Sequence, residues 1–146
     1  ALTAEALSVF SPLSLAKFHC FDLLRHYESV VWLDSDILIQ DSLEELFACG
    51  PLGLALEDPE FSDPPGAKPA QINLHEPIEG FDGGADNLNS GVIVFRNDLP
   101  APEALRQGCL EFVCRHGAKL RYPDQAAFNL LAQMLLSGLP RWQCAR

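Results

Sequence analysis

The chain has 146 residues, 48% apolar and 21% charged, which suits one packed domain and excludes a disordered or fibrous chain. Ten Lys plus Arg against 20 Asp plus Glu leave a net charge of −10. That balance argues against a broad nucleic-acid or anionic-membrane surface, although a divalent cation can join an acidic protein to a phosphate ligand.

The five cysteines, Cys20, Cys49, Cys109, Cys114 and Cys144, are odd in number and include no CxxC pair, so they read as reduced thiols in a cytoplasm. No apolar run approaches the roughly 18 residues of a membrane helix. Ala1 to Phe10 lacks the basic start of a signal peptide. With no Met at the start and no obvious stop after Trp142, the expectation is a single domain that is incomplete at both ends.

Ser11-Pro12 resembles a helix entry, and Leu15, Phe18, Phe21, Leu23 and Leu24 recur close to helical period, predicting a helix that ends near Tyr27. Val30 to Leu33 is β-branched and aromatic, as in a strand buried on both faces. It stops at Asp34-Ser35-Asp36, and Ile37-Leu38-Ile39 follows. Asp41 to Phe47 predicts a short helix with an acidic first turn. Pro51 to Leu56 predicts a strand. Residues 57–87 change character: five of the 11 prolines (Pro59, Pro64, Pro65, Pro69, Pro77) fall there, followed by Gly80, Gly83 and Gly84. Such a long irregular excursion is expected to be functional or mobile. Asn89-Ser90-Gly91 opens a second apolar strand, Val92 to Phe95. Pro102 to His116 has helical spacing, and Tyr122-Pro123-Asp124-Gln125 leads into a last helix with Phe128, Leu131 and Leu135 on one face, stopped by Gly138-Leu139-Pro140. Strands alternating with helices predict an α/β layer fold.

Asp34 and Asp36 carry the sharpest chemical signal. Two carboxylates at a strand end repel each other and lose hydration, and a divalent cation with oxygen ligands offsets both costs. On a regular strand both would point to one face and share one ion. The bland alternative is two solvated loop aspartates. In Asn87 to Gly91, the amides can hold hydroxyls or phosphate oxygens and Gly91 admits a ligand closely, although an ordinary loop-to-strand junction uses the same residues. Asp124-Gln125 is either a polar pair facing a cleft or an acidic helix start favoured by the dipole. The four histidines, His19, His26, His75 and His116, show no metal spacing, and there is no GxSxG elbow or phosphate-binding GxxxxGK[ST] loop.

In order, these pieces resemble glycosyltransferase family 8, the group of galactosyltransferases, glycogenins and galactinol synthases. The likeness runs from Leu15-Ala16-Lys17-Phe18 through Tyr27 to Asp36, Leu43 to Phe47, Asn89-Ser90-Gly91-Val92 and Asp124-Gln125 to Asn129, and ends at Leu139-Pro140-Arg141-Trp142. Each motif is weak, and their order makes the joint signal. The resemblance implies an α/β GT-A (nucleotide-diphospho-sugar transferase) fold, with a Rossmann-like mixed sheet flanked by helices. It also implies retaining transfer of a hexose from a UDP-sugar donor to a saccharide or lipopolysaccharide-type (glycolipid) acceptor, which adds the inner-membrane surface to the cytoplasm as a setting. Asp34 and Asp36 would hold Mn2+ or Mg2+ against the diphosphate, with the ion acting as a Lewis acid. Lys17 would contact donor phosphate or sugar, and Asn89, Ser90 and Gly91 would bind the substrate. Asp124 would hold sugar hydroxyls, and Gln125 would steady an oxocarbenium-like transition state near the anomeric carbon. Acceptor choice would lie in residues 59–86.

Two features depart from that pattern. The family's third metal ligand, a histidine in an H-x-x-G-x-x-K-P-W block, has no counterpart up to Arg146, since His116-Gly117 precedes Asp124. The family's nucleobase-binding first strand would precede Ala1. Weak metal and donor binding by these 146 residues alone is therefore expected. Two other classes compete with the transferase. A haloacid-dehalogenase-type phosphatase also ends a buried strand in DxD, but Leu38 stands where it needs Thr or Val. A non-catalytic sugar-nucleotide-binding remnant would keep the motifs without the turnover.

Overall fold

The structure is a computed structural model, and it describes residues 12–56 and 70–136. Ser29–Leu33 forms strand β1, Leu52–Leu56 forms β2 and Leu88–Arg96 forms β3. β3 runs back between β1 and β2 and pairs antiparallel with each. The expected sheet is mixed; the pairings among the described residues are antiparallel. The central strand is the one buried on both faces, as consecutive residues point to opposite sides and Ile93, Val94 and Phe95 are 0%, 2% and 0% exposed. β1 was expected to be buried in the same way, but it is only half-buried along its length. Among the described residues it has a strand partner on one side only.

β3 starts earlier than the sequence suggests, so Asn89, Ser90 and Gly91 lie inside the strand. The β2–β3 register shifts between Leu54, opposite Ile93, and Ala55, opposite Asn89. That irregularity removes Ser90, Gly91 and Val92 from pairing with β2 and leaves polar backbone there for other partners.

The first helical stretch also differs from expectation. Pro12–His19 is a 3-10 helix, and only Cys20–Leu23, α1, is α-helical before a turn closes with Tyr27 N–H on Leu23 O at 3.1 Å. Phe18, Phe21 and Leu24 are buried and Leu15 packs beside them. That spacing of three fits a helix with three residues per turn, and Leu23, off the stripe, is exposed. The predicted helix at Asp41–Phe47 is a short 3-10 helix, Glu44–Ala48, entered through a hydrogen bond from Glu44 N–H to Ser42 Oγ.

Pro102–His116 (α2) and Pro123–Leu136 (α3) follow the predicted pattern. The expected entry at Ser11, the stop at Gly138-Leu139-Pro140 and residues 57–69 lie outside the described residues. α3 packs on β3 and α2. Phe18, Phe21, Phe95 and Phe128 meet with ring centroids 5.0–6.3 Å apart, joining the first helical stretch, β3 and α3. Each such ring contributes roughly 1.5–3 kcal/mol by burial.

Residues 70–87, part of the long irregular excursion expected to be functional or mobile, are irregular but pinned. Ala70 and Gln71 N–H groups donate to Ala85 and Gly83 carbonyls, and His75 and Arg121 N–H groups bond across to Lys119 and Asn73. Ala70, Ile72, Asn73, Ile78 and Phe81 are buried, so apolar side chains hold an irregular backbone in place.

Candidate functional site

At the end of β1 the structure gathers Lys17, Asp34, Ser90 and Asp124 from four separate segments. Lys17 is 3% exposed. Its Nζ lies 2.7 Å from Asp124 Oδ2 and 3.4 Å from Asp34 Oδ1, and it donates to Ser90 O at 3.0 Å and Ser90 Oγ at 3.2 Å. The Trp32 ring lies 5.7 Å away. A buried ammonium is costly unless paired and hydrogen-bonded, and this one is both. Four oxygens surround a group with three N–H bonds, so Lys17 is fully engaged by the protein. It holds two carboxylates that would otherwise repel each other.

The neighbours complete this wall. Ser90 Oγ donates to Asp124 Oδ2 at 3.1 Å, and Trp32 Nε1 donates to Asp34 Oδ1 at 2.6 Å. Trp32 precedes Asp34 by two residues, the strand period that puts both on one side. That spacing was a sequence signal for Trp32, which the motif reading passed over. The aspartates do not share a strand face. β1 ends at Leu33, Asp34 N–H makes a last ladder bond to Gly91 O at 2.8 Å, and Ile37 N–H closes a turn on Asp34 O. Asp36 sits exposed in that turn, outside the hydrogen-bonded wall.

Asn89 Oδ1 accepts from Gly91 N–H at 2.7 Å. A Cβ at Gly91 would lie 2.9 Å from that oxygen and 3.4 Å from Asp34 Oδ2. Glycine is therefore required for the amide oxygen and carboxylate to sit this close over the backbone. Behind the wall, Gln125 Oε1 accepts from Ser90 N–H at 3.4 Å and its Nε2 donates to Asn73 Oδ1 at 3.0 Å. Asn73 Nδ2 donates to Asn87 Oδ1 and Ala70 O. Asn129 serves Leu88 as a strand partner would, accepting from its N–H at 2.9 Å and donating to its carbonyl at 2.8 Å. Asn87 belongs to the Asn87–Gly91 motif and serves here as an acceptor for Asn73, whereas sequence reasoning missed Asn73, which no local pattern marks.

The site residues read from the sequence therefore fall into two sets. Lys17, Asp34, Ser90, Asp124 and Gln125 are joined directly, with Gly91 bonded to Asp34 through the backbone and Asn89 bonded to Gly91. Asp36 stands apart on the rim. The described residues contain no group of three His, Cys, Asp or Glu side chains placed for a metal. The donor chemistry still suits a hard divalent cation. Asp34 and Asp36 supply carboxylate oxygens, and Mg2+-type sites commonly use one or two carboxylates completed by water and substrate phosphates.

Other titratable groups lie elsewhere. Burial raises the Cys20 thiol to about 11, against smaller lowering effects of a backbone hydrogen bond and Lys17, and raises Cys109 to about 12. His116 is lowered, first by burial and then by Arg115 and Lys119. Both cysteines fill core space.

The sequence pattern of Glycosyl transferase family 8 matches residues 2–145. Over 117 residues the chain is 34% identical to glycogenin-2 of Homo sapiens, a stretch that covers 80% of this chain and 17% of that protein. No helix among the described residues is long and apolar enough to cross a membrane.

Proposed function

This chain belongs to glycosyl transferase family 8, whose fold is GT-A, and on that premise we propose that it takes part in retaining transfer of a hexose from a UDP-linked donor. The hexose is of the glucose or galactose type, the acceptor is a saccharide or a lipopolysaccharide-type glycolipid, and the reaction needs a divalent cation. The phosphatase alternative has no support from this family. Residues 1–146 contribute to one catalytic domain, with 59–86 on the acceptor side. The odd set of cysteines supports a cytoplasmic setting.

One observation carries this reading. Residues distant in sequence, Lys17, Asp34, Ser90, Asp124 and Gln125, form one connected polar cluster where backbone of β3 is freed from β2. In this proposal Asp34 and Asp36 hold Mn2+ or Mg2+, which when bound neutralises charge on the departing nucleoside diphosphate. Lys17 acts first as the internal charge partner of Asp34 and Asp124, and reaches a donor phosphate only by releasing one of them. Asn89, Ser90 and Gly91 line the donor. Asp124, oriented by Lys17 and Ser90, accepts hydrogen bonds from sugar hydroxyls. Gln125 offers its amide near the anomeric carbon, where positive charge develops.

The test is release of UDP from UDP-glucose or UDP-galactose by the full-length protein. Turnover should require Mn2+ or Mg2+, stop with a chelator and be lost in Asp36→Asn. Mn2+-dependent UDP binding with no UDP release from either donor would identify a donor-binding protein without transfer.

A further inference from the structure

The Gln125 carboxamide has nearly the same shape at its two ends and opposite polarity. Which end faces the reacting sugar decides whether the group offers an oxygen, which steadies positive charge, or an NH2, which does not. Shape alone does not choose between them.

Two backbone groups of fixed polarity make the choice. Ala70 O accepts only, and Asn73 Nδ2 donates to it at 3.2 Å and to Asn87 Oδ1 at 2.7 Å. Asn73 is 0% exposed, so water does not compete. Its Oδ1 is left facing Gln125 and receives Nε2 at 3.0 Å. Gln125 Oε1 is thereby turned to Ser90 N–H, which donates only, at 3.4 Å. A chain that starts at a carbonyl and ends at an N–H has one consistent orientation. Flipping either amide would set acceptor against acceptor, or donor against donor, in a buried place where that is costly.

We propose that Asn73 is a positioning residue for the transfer reaction: it fixes the polarity of the Gln125 amide and holds Oε1 on the side where Ser90, Lys17 and Asp124 gather. The turn carrying Asn73 is itself fixed through the Ala70 and Gln71 N–H groups on Ala85 and Gly83. This inference rests on the placing of Gln125 at the reacting centre.

The experiment is a double-mutant cycle on the full-length protein, reading kcat and KM for UDP release from whichever of UDP-glucose and UDP-galactose is turned over. Asn73→Ala should lower kcat about tenfold, as expected of a misplaced group, with KM changed less than about twofold. In a Gln125→Ala background the same change should cost nothing further. Asn73→Asp keeps an acceptor for Gln125 Nε2, so it should retain most of kcat although its buried carboxylate lowers the unfolding temperature more than alanine does. If Asn73 served only stability, kcat would follow stability and Asn73→Asp would be the slower variant. That order, or equal losses from Asn73→Ala in both backgrounds, overturns the inference alone. Wild-type kcat in Gln125→Ala overturns the placing of Gln125 and the inference with it. Asn73→Leu, closer in volume, replaces Asn73→Ala if the latter does not fold.

Discussion

The inner wall of the site and its outer rim handle charge in opposite ways. On the wall, Lys17 is surrounded by Asp34, Asp124 and both oxygens of Ser90, and every charge has a protein partner. On the rim, two residues beyond Asp34, Asp36 stands exposed in a turn. The wall is therefore part of what folds the protein, while the rim carries charge in water and, among the described residues, Asp36 is held by no hydrogen bond or ion pair that a ligand would have to break. Stability and function should separate along this line.

The largest effect should come from Lys17→Met. It leaves Asp124, whose side chain is 14% exposed, facing Asp34 with no cation between them. Breaking one partner out of a buried charge cluster costs about 3 kcal/mol or more, and the urea midpoint should fall accordingly. An unchanged midpoint would show that the wall is not a folding element.

A paired comparison comes next. Asp34→Asn weakens the acceptor for Lys17 and Trp32 and should cost about 1–2 kcal/mol of stability. Asp36→Asn should stay within about 0.5 kcal/mol of wild type, as exposed substitutions do. Both should lose metal-dependent UDP release. Equal destabilisation by the two would erase the distinction between wall and rim.

The thiols repeat the contrast. Cys109 is buried and held up to about 12, whereas Cys114 is exposed. A thiol raised in the folded state supports folding below its unfolded value of 9.0, and that support is lost as pH rises toward about 12, because the unfolded chain ionises first. Stability should fall by about 1 kcal/mol per pH unit above the unfolded value. Cys109→Ala should flatten that slope in urea titrations, and Cys114→Ala should not.

The smallest effect lies outside both regions. Ala101, just before α2, has φ 47°, in the left-handed region. Ala101→Gly should raise the unfolding free energy by up to about 1 kcal/mol and leave UDP release unchanged. A loss of stability would mean that the alanine methyl group contributes more than its backbone costs.

How much was legible in the sequence depended on the range of the interaction. Short-range periodicity found α2, α3 and the apolar centre of β3. After Pro12 the recurrence of Leu15, Phe18, Phe21, Leu23 and Leu24 predicts an α-helix, but the stretch is mostly a 3-10 helix, whose stripe Leu15, Phe18, Phe21 and Leu24 leaves Leu23 exposed. Local pattern also took β1 for a fully buried strand, because an apolar run shows what can be buried and not whether a neighbour lies on each side. Prolines and glycines in residues 57–87 predict an irregular excursion, functional or mobile, but they do not show that 70–87 are packed by Ile72, Ile78 and Phe81.

By itself the sequence determined the family motifs and their order, the acidic pair after β1, the Asn-Ser-Gly strand and the Asp-Gln helix start, since each lies within a few consecutive residues. Only the tertiary structure decided that Lys17 is an internal counter-ion to Asp34 and Asp124, that Asp36 is left on the rim, and that Asn73 sets the polarity of Gln125. Lys17 and Ser90 are 73 positions apart and Asn73 and Gln125 are 52 apart. No local spacing encodes such pairs, because they form only when the β2–β3 irregularity, the 70–73 turn and the start of α3 have been packed against one another.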